Sequence, residues 1–344
     1  MRELNWATLG CGVIANQLEQ ALEGTGRKLY SVANRTHAKG VAFAEKYGIG
    51  KVYDEIDDVF ADPDVDVIYI STPHNTHIGF LRKALAAGKH VLCEKSITLN
   101  SDELDEAIAL AEANHVLLAE AMTLYHMPLY RELDRIIAGG DGELGRVKLI
   151  QMNFGSYKEY DMTNRFFNRN LAGGAMLDIG VYALSCMRWF MSSKPDRIVS
   201  QVKAAPTGVD EQAGILLTNP DGQMAAITLS LHAKQPKRGT IVFENGYVEI
   251  FDYPRGERAT IHDTSGAVVR EVEAGDTAHA LAYEVGDMEK AIRAFEAGRS
   301  GEIPADEADA TVEGLLHLGY TRDVMDMMTE IRRDQWHMTY PEEE

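Results

Sequence analysis

The fold of this chain hinges on Gly10-Cys11-Gly12-Val13-Ile14-Ala15. The string matches a dinucleotide fingerprint in which alanine is the permitted third small residue. The first glycine allows a tight turn, the second lets a pyrophosphate approach the backbone, and the third small residue lets helix and strand pack closely. The helix amino terminus then faces the phosphates. Alone the string is weak, because glycine-rich turns are common. Its flanks strengthen it: Leu4 to Leu9 is a short, mostly apolar run that stops at Gly10, and Ile14, Leu18 and Leu22 recur at helical spacing until Gly24 and Gly26.

The alternation continues downstream. Leu29 to Ala33 reads as a strand, Val41, Ala44 and Tyr47 as a helix closed by Gly48, and Val65 to Ser71 as a buried parallel strand. Ile78, Leu81 and Leu85 mark another helix, His90 to Glu94 another strand. Asn100 with Glu103 starts a helix carrying Leu104, Ile108 and Ala111, and Val116 to Ala121 ends the series. Repeated strand–helix–strand units predict an α/β Rossmann doubly wound parallel sheet over residues 1–122.

From Arg146 to Glu273 strand patterns dominate. Ile227, Leu229 and Leu231 alternate with Thr228 and Ser230, and Pro220-Asp221-Gly222 and Asn245-Gly246 are turn signals. Leu281, Val285, Met288, Ile292 and Phe295 form one helical stripe; Val324, Met328 and Ile331 form a second. Residues 123–344 are therefore expected to form an α+β domain: a large open, mainly antiparallel sheet with helices on one face. The face carrying Thr228 and Ser230 is left for solvent or a partner subunit.

Composition sets outer bounds. The 344 residues suit two domains. The net charge of −19 repels phosphate backbones, which argues against nucleic acid as a partner. Cys11, Cys93 and Cys186 have neither disulfide nor zinc spacing. No apolar run approaches the roughly 20 residues that span a bilayer, and Met1 to Gly10 lacks a signal-peptide pattern. A cytoplasmic protein without a membrane partner is expected.

The strand ends nominate ligand contacts. After the second strand stand Asn34 and Arg35, with no acid nearby to take a ribose 2′-hydroxyl. A guanidinium pairs with a 2′-phosphate, so NADP is preferred to NAD, although arginine also stacks on adenine without selecting the phosphate. Thr72-Pro73-His74-Asn75-Thr76-His77 follows another strand. Its histidines, three apart and without carboxylates, suit capping and cofactor contact better than metal binding. Glu94-Lys95 ends the next strand where a nicotinamide ring would lie; there the lysine suits proton transfer or carbonyl polarisation, while an ordinary surface ion pair also accounts for it. In Gly173-Gly174-Ala175-Met176-Leu177-Asp178-Ile179-Gly180-Val181-Tyr182, Asp178 and Tyr182 share one face of a helix. They are either an acid–base pair or a helix-start carboxylate with a core tyrosine. Arg165 and Phe166, just upstream, are candidate pocket residues.

Taken together these segments resemble the Gfo/Idh/MocA oxidoreductase family, in order and over nearly the whole chain. The resemblance rests on Gly10 to Ala15, Thr72-Pro73 with His77, Glu94-Lys95, and Gly173-Gly174 with Asp178 and Tyr182. Ala87 to Lys95 and Glu120-Ala121-Met122 look similar to its dihydrodiol and sugar dehydrogenase branch, and Met122 is added to the cofactor contacts on that basis. The resemblance implies hydride transfer between nicotinamide and a secondary alcohol or carbonyl of a sugar, cyclitol or related diol. Lys95, Asp178 and Tyr182 are its implied catalytic cluster, joined by Arg165 and Phe166 at the substrate. It also implies a homodimer or homotetramer formed through the second-domain sheet. Relatives of this fold include non-catalytic sensors and glycosidases that use the cofactor transiently; both are alternatives to simple dehydrogenation. The chain departs from the family at Ser96, where proline usually follows the lysine.

Overall fold

The computed structural model describes residues 2–139 and 144–344. The chain begins with β1 (Trp6–Leu9), α1 (Val13–Glu23), β2 (Ser31–Ala33), α2 (His37–Tyr47), β3 (Lys51–Val52), α3 (Asp58–Ala61), β4 (Val67–Ile70), α4 (His77–Ala86), β5 (His90–Glu94), α5 (Ser101–Ala113) and β6 (Leu118–Ala121). The six strands pair in the order β3-β2-β1-β4-β5-β6, all parallel. This is the doubly wound order, reversing between β1 and β4. The expected terminators are present: Gly48 caps α2 in the left-handed region, and the Asn100 side chain accepts from the Glu103 amide at the start of α5.

The chain continues through α6 (Pro128–Gly139), β7 (Val147–Gly155), α7 (Val181–Phe190), β8 (Arg197–Ala204), β9 (Asp210–Thr218), β10 (Met224–Ser230), β11 (Gln235–Phe243), β12 (Gly246–Phe251), β13 (Arg258–Asp263) and β14 (Val268–Glu273). These eight strands pair in the order β14-β13-β12-β11-β7-β10-β9-β8. Neighbours are antiparallel except β7 and β10, which run parallel. Tight turns force antiparallel pairing, but β7 is followed by a long excursion through α7, which leaves its direction free. Ile150, Met152, Ile227, Leu229, Ile241 and Val248 fill the covered face, on which α7 packs. On the other face Thr228 is exposed, as expected, whereas Ser230 is buried because its hydroxyl accepts from the His232 and Ala233 amides where the chain folds back. The turn expected at Asn245-Gly246 sits one residue earlier, with Gly246 already in β12 opposite Phe243.

The chain ends with α8 (Ala280–Ser300), α9 (Ala305–Leu316) and α10 (Leu318–Thr329), followed by a π-helical turn at Glu330–Gln335. Two compact units result. One comprises residues up to Met122 together with Ala278–Gly319; the other comprises Thr123–Thr277 with Tyr320–Glu344. The stripe Leu281, Val285, Met288 and Ile292, assigned from sequence to the second domain, thus belongs to the first unit. There it joins a core with Leu18, Leu22, Val32 and Tyr69. An apolar stripe announces that it will be buried but not against which sheet. Full burial of such side chains is worth about 1.5–3 kcal/mol each.

Candidate active site

In the first unit, every residue nominated for the cofactor stands at the carboxyl edge of the parallel sheet. Gly10 has φ +104, and a Cβ there would lie 2.9 Å from Ser71 Oγ and 3.0 Å from the Ser71 carbonyl oxygen. Only glycine lets β1 leave the sheet so close to β4. Gly12 precedes α1 with no side-chain cap, and no heavy atom lies within 4 Å of where its Cβ would be. Val13, the first helical residue, is 79% exposed, while Ala15 is fully buried against the sheet. The start of α1 thus offers unclaimed amides beside open space, the feature a diphosphate requires. Cys11 is half-buried, and burial raises its thiol pKa. Asn34 turns its amide to the Thr36 carbonyl at 2.9 Å, leaving Arg35 exposed just beyond β2.

The segment after β4 clamps the segment after β5. His74 Nε2 lies 3.0 Å from the Lys95 carbonyl oxygen. His77, fully buried, has Nε2 2.8 Å from the Thr72 carbonyl oxygen and Nδ1 3.0 Å from that of Ser96. Burial lowers the His77 pKa, against the carbonyls that surround its ring. The Lys95–Ser96 peptide is cis. Glu120, buried at the end of β6, accepts from the Ile97 amide at 3.1 Å, and the Tyr69 hydroxyl donates to Glu94. The backbone around Lys95 is therefore held from both neighbouring strands, β4 and β6, and from the segment that follows β4. Among the described residues, no group of three or more His, Cys, Asp or Glu side chains is placed to hold a metal ion. Thr72, Pro73, Asn75 and the buried Met122 border the same edge.

In the second unit, Gly173 and Gly174 let the chain turn under its own loop. Gly174 has φ +123, and a Cβ there would lie 2.1 Å from Asp210 Oδ1. Asp210 Oδ2 accepts from the Met176 amide at 2.6 Å, and the Tyr340 hydroxyl donates to the Gly173 carbonyl at 2.7 Å. Met176–Gly180 is a π-helical turn that leads into α7, with the Val181 amide bonded to the Met176 carbonyl. Asp178 and Tyr182, four residues apart, therefore straddle the junction between this wider turn and α7 rather than lying within one regular α-helix. Asp178 is buried at 8% exposure and pairs with Arg165 Nη2 at 3.3 Å. Arg165 also lies 4.2 Å from the centroid of the Phe166 ring. Tyr182, half-buried, packs near Phe154 with ring centroids 6.2 Å apart. Arg165, Phe166 and Asp178 thus form one contiguous set.

Sequence reading missed the groups that support this loop. Asp210 is buried, with its pKa pushed up to about 7 by burial against the opposing pulls of the Met176 amide and the Arg332 charge. Arg332, 1% exposed, pairs with Glu343 at 3.0 Å and lies over the Tyr340 ring. A lone Asp after a strand and an Arg near the chain end carry no local signal of their meeting.

A model for the "Oxidoreductase family, NAD-binding Rossmann fold" matches residues 4–122, and a model for the "GFO/IDH/MocA C-terminal domain" matches residues 130–249. The trans-1,2-dihydrobenzene-1,2-diol dehydrogenase of Mus musculus is 30% identical over 253 residues, covering 72% of this chain and 74% of that protein. The Xenopus laevis enzyme of the same name is 31% identical over 249 residues, 71% and 74% of the two chains. Among solved structures, a 3-ketoreductase from Actinomadura kijaniata complexed with NADP and TDP-benzene superposes with a TM-score of 0.78 at 20% identity, covering 96% of this chain and 97% of that one. An aldose-aldose oxidoreductase from Caulobacter crescentus complexed with glycerol gives 0.76 at 23% identity, over 95% and 98%. These two likenesses establish the fold.

Proposed function

Because the chain belongs to the Gfo/Idh/MocA family of NAD-binding oxidoreductases, we propose that it interconverts a secondary alcohol and a carbonyl on a sugar, cyclitol or related diol. The observation that carries this reading is the uncapped start of α1 at Gly12, open where a diphosphate would sit. When bound, the nicotinamide cofactor supplies the hydride acceptor or donor. Gly10 to Ala15 would seat its diphosphate. Thr72, Pro73, His74, Asn75, His77, Glu94 and Met122 would border the rest of it. Asn34 and the exposed Arg35 would take the adenosine ribose, and a cation with no acid beside it favours NADP over NAD.

In this proposal Tyr182 exchanges the substrate hydroxyl proton and Lys95 steadies the oxygen as charge develops on it. Asp178, held by Arg165, orients a substrate hydroxyl, and Phe166 gives the pocket an apolar wall. The test is reduction of NADP and NAD across a panel of sugars, cyclitols and vicinal diols. Turnover is expected in the native enzyme. Lys95→Met is expected to bind cofactor and lose about 10²–10⁴-fold in rate. A Lys95→Met enzyme with native turnover removes lysine from the scheme.

The open face of the eight-stranded sheet supports assembly into a homodimer or homotetramer. Val199 and Leu216 are direct cross-strand partners on it, 68% and 53% exposed, and Met224 follows at 47%. Such an apolar strip on a flat sheet is costly in water and suits a self-complementary interface. No helix among the described residues is long and apolar enough to cross a membrane. A cytoplasmic site of action accords with three free cysteines.

A further inference from the structure

Around Phe154 and Phe166, close to Tyr182, the second unit holds two lysines, Lys158 and Lys237, that rest on aromatic rings. Lys237 sits where β11 slips register against β7, between Gln235 and Arg238. Such a bulge re-aims a side chain, and here the Lys237 ammonium lies over the Phe154 ring, 5.2 Å from its centroid. Phe154 in turn neighbours Tyr182. Lys158, on the loop after β7, lies over the Phe166 ring at 4.2 Å, on which Arg165 also rests. Two hydrogen bonds tie this loop to the turn before β11: the Lys158 amide donates to Leu231, and the His232 ring meets the Lys158 carbonyl.

The charges of Lys234, Arg255 and Lys158 all press on Lys237, opposed by Asp252. Half-burial and these like charges lower the Lys237 pKa, burial being the larger cause. Neither Lys158 nor Lys237 makes an ion pair among the described residues; each rests on an aromatic face instead. In a chain of net charge −19 with 53 acidic residues to recruit, half-buried cations without carboxylate partners are not needed for solubility. Their mutual repulsion is relieved when an anion arrives. The Tyr253 hydroxyl adds a polar group to the same place. It is buried without a hydrogen-bond partner, and its ionisation is opposed by that of Tyr182.

We propose that the substrate carries an anionic group, a carboxylate or a phosphate, seated on Lys158 and Lys237 beside Tyr182. This rests on the oxidoreductase reading above and narrows it from polyols in general to acidic or phosphorylated ones. A neutral diol would leave the cations facing one another, whereas an anion held there fixes the distance from its charge to the reacting carbon.

The experiment compares kcat/KM, at fixed ionic strength, for a neutral sugar, its aldonic or uronic acid, and its phosphate ester. The enzymes are wild type, Lys237→Met, Lys158→Met, Lys237→Arg and, as a control for net charge, Lys194→Met, whose lysine pairs with Asp326. Methionine keeps the unbranched stem over Phe154, so the fold is spared. One anionic form is expected to exceed the neutral sugar by about tenfold or more, and Lys237→Met to erase most of that ratio through KM. Lys237→Arg restores it and Lys194→Met leaves it in place. Whether carboxylate or phosphate wins identifies the group. A wild type that prefers the neutral sugar, or a ratio moved equally by Lys194→Met, overturns the proposal. If no substrate turns over, the oxidoreductase reading fails, and calorimetric titration with glucose 6-phosphate and gluconate decides the subsite alone. Saturable binding lost in Lys237→Met supports it; absence of binding to wild type sinks it.

Discussion

Replacing Asp210 with asparagine should abolish a pH dependence of stability that the native protein carries. The carboxyl is 1% exposed and its pKa is pushed up to about 7, against about 3.9 in an unfolded chain. Between these values the folded protein holds a proton that the unfolded chain releases. The resulting stabilisation is complete below about pH 4 and is lost as the pH rises through about 7, with a slope near 1.4 kcal/mol per pH unit. From about pH 5 to about pH 8 the loss amounts to about 2–3 kcal/mol. For a cooperative unit of this size that is a fall in Tm of roughly 5–10 °C. Asparagine keeps an acceptor for the Met176 amide and has nothing to titrate. Calorimetric melts of both proteins across this range should therefore diverge, the wild type losing ground to Asp210→Asn as the pH rises. Glu19, also pushed up to about 7 by burial, titrates in both proteins and cancels in the difference. Melting curves that stay parallel at every pH would refute the reasoning.

Gly174→Ala places a Cβ 2.1 Å from Asp210 Oδ1 at φ +123; strain and crowding together should cost about 2–5 kcal/mol, read as a lowered Tm with an impaired kcat. Arg35→Ala should lower the ratio of kcat/KM for NADP over NAD by about tenfold or more, and an unchanged ratio removes Arg35 from 2′-phosphate recognition. Leu216→Arg, in the exposed strip of β9, should shift sedimentation toward the monomer; an unaltered assembly would mean that this face is not the interface.

Much of the first sheet was legible because its signals are local. Gly10 to Ala15 encodes a turn whose need for glycine is visible one strand away at Ser71, and Asn100 with Glu103 marks a helix start by hydrogen bonds that span three residues. What failed was non-local. The stripe from Leu281 to Ile292 showed that a helix would be buried, but its partners, Leu18 and Val32, lie more than two hundred residues away and leave no trace in its period. Ser230 alternates correctly with Leu229 yet is covered by the turn that follows it. The π-helical turn before Tyr182 was invisible because a widened turn has no compositional mark. Asp178 was nominated through its motif, whereas Asp210, Arg332 and Tyr340, which shape the loop from beneath, are each ordinary residues until the fold assembles them.

The return of α8 to the first unit also constrains the order in which the protein can mature during synthesis. The amino-terminal strands leave the ribosome early, yet the core that takes in Leu18, Leu22 and Val32 includes Val285, Met288 and Ile292. Those residues are translated only after every strand of the eight-stranded sheet. The nascent first half must wait with apolar surface uncovered while the second half is made, a period in which a chaperone has something to hold.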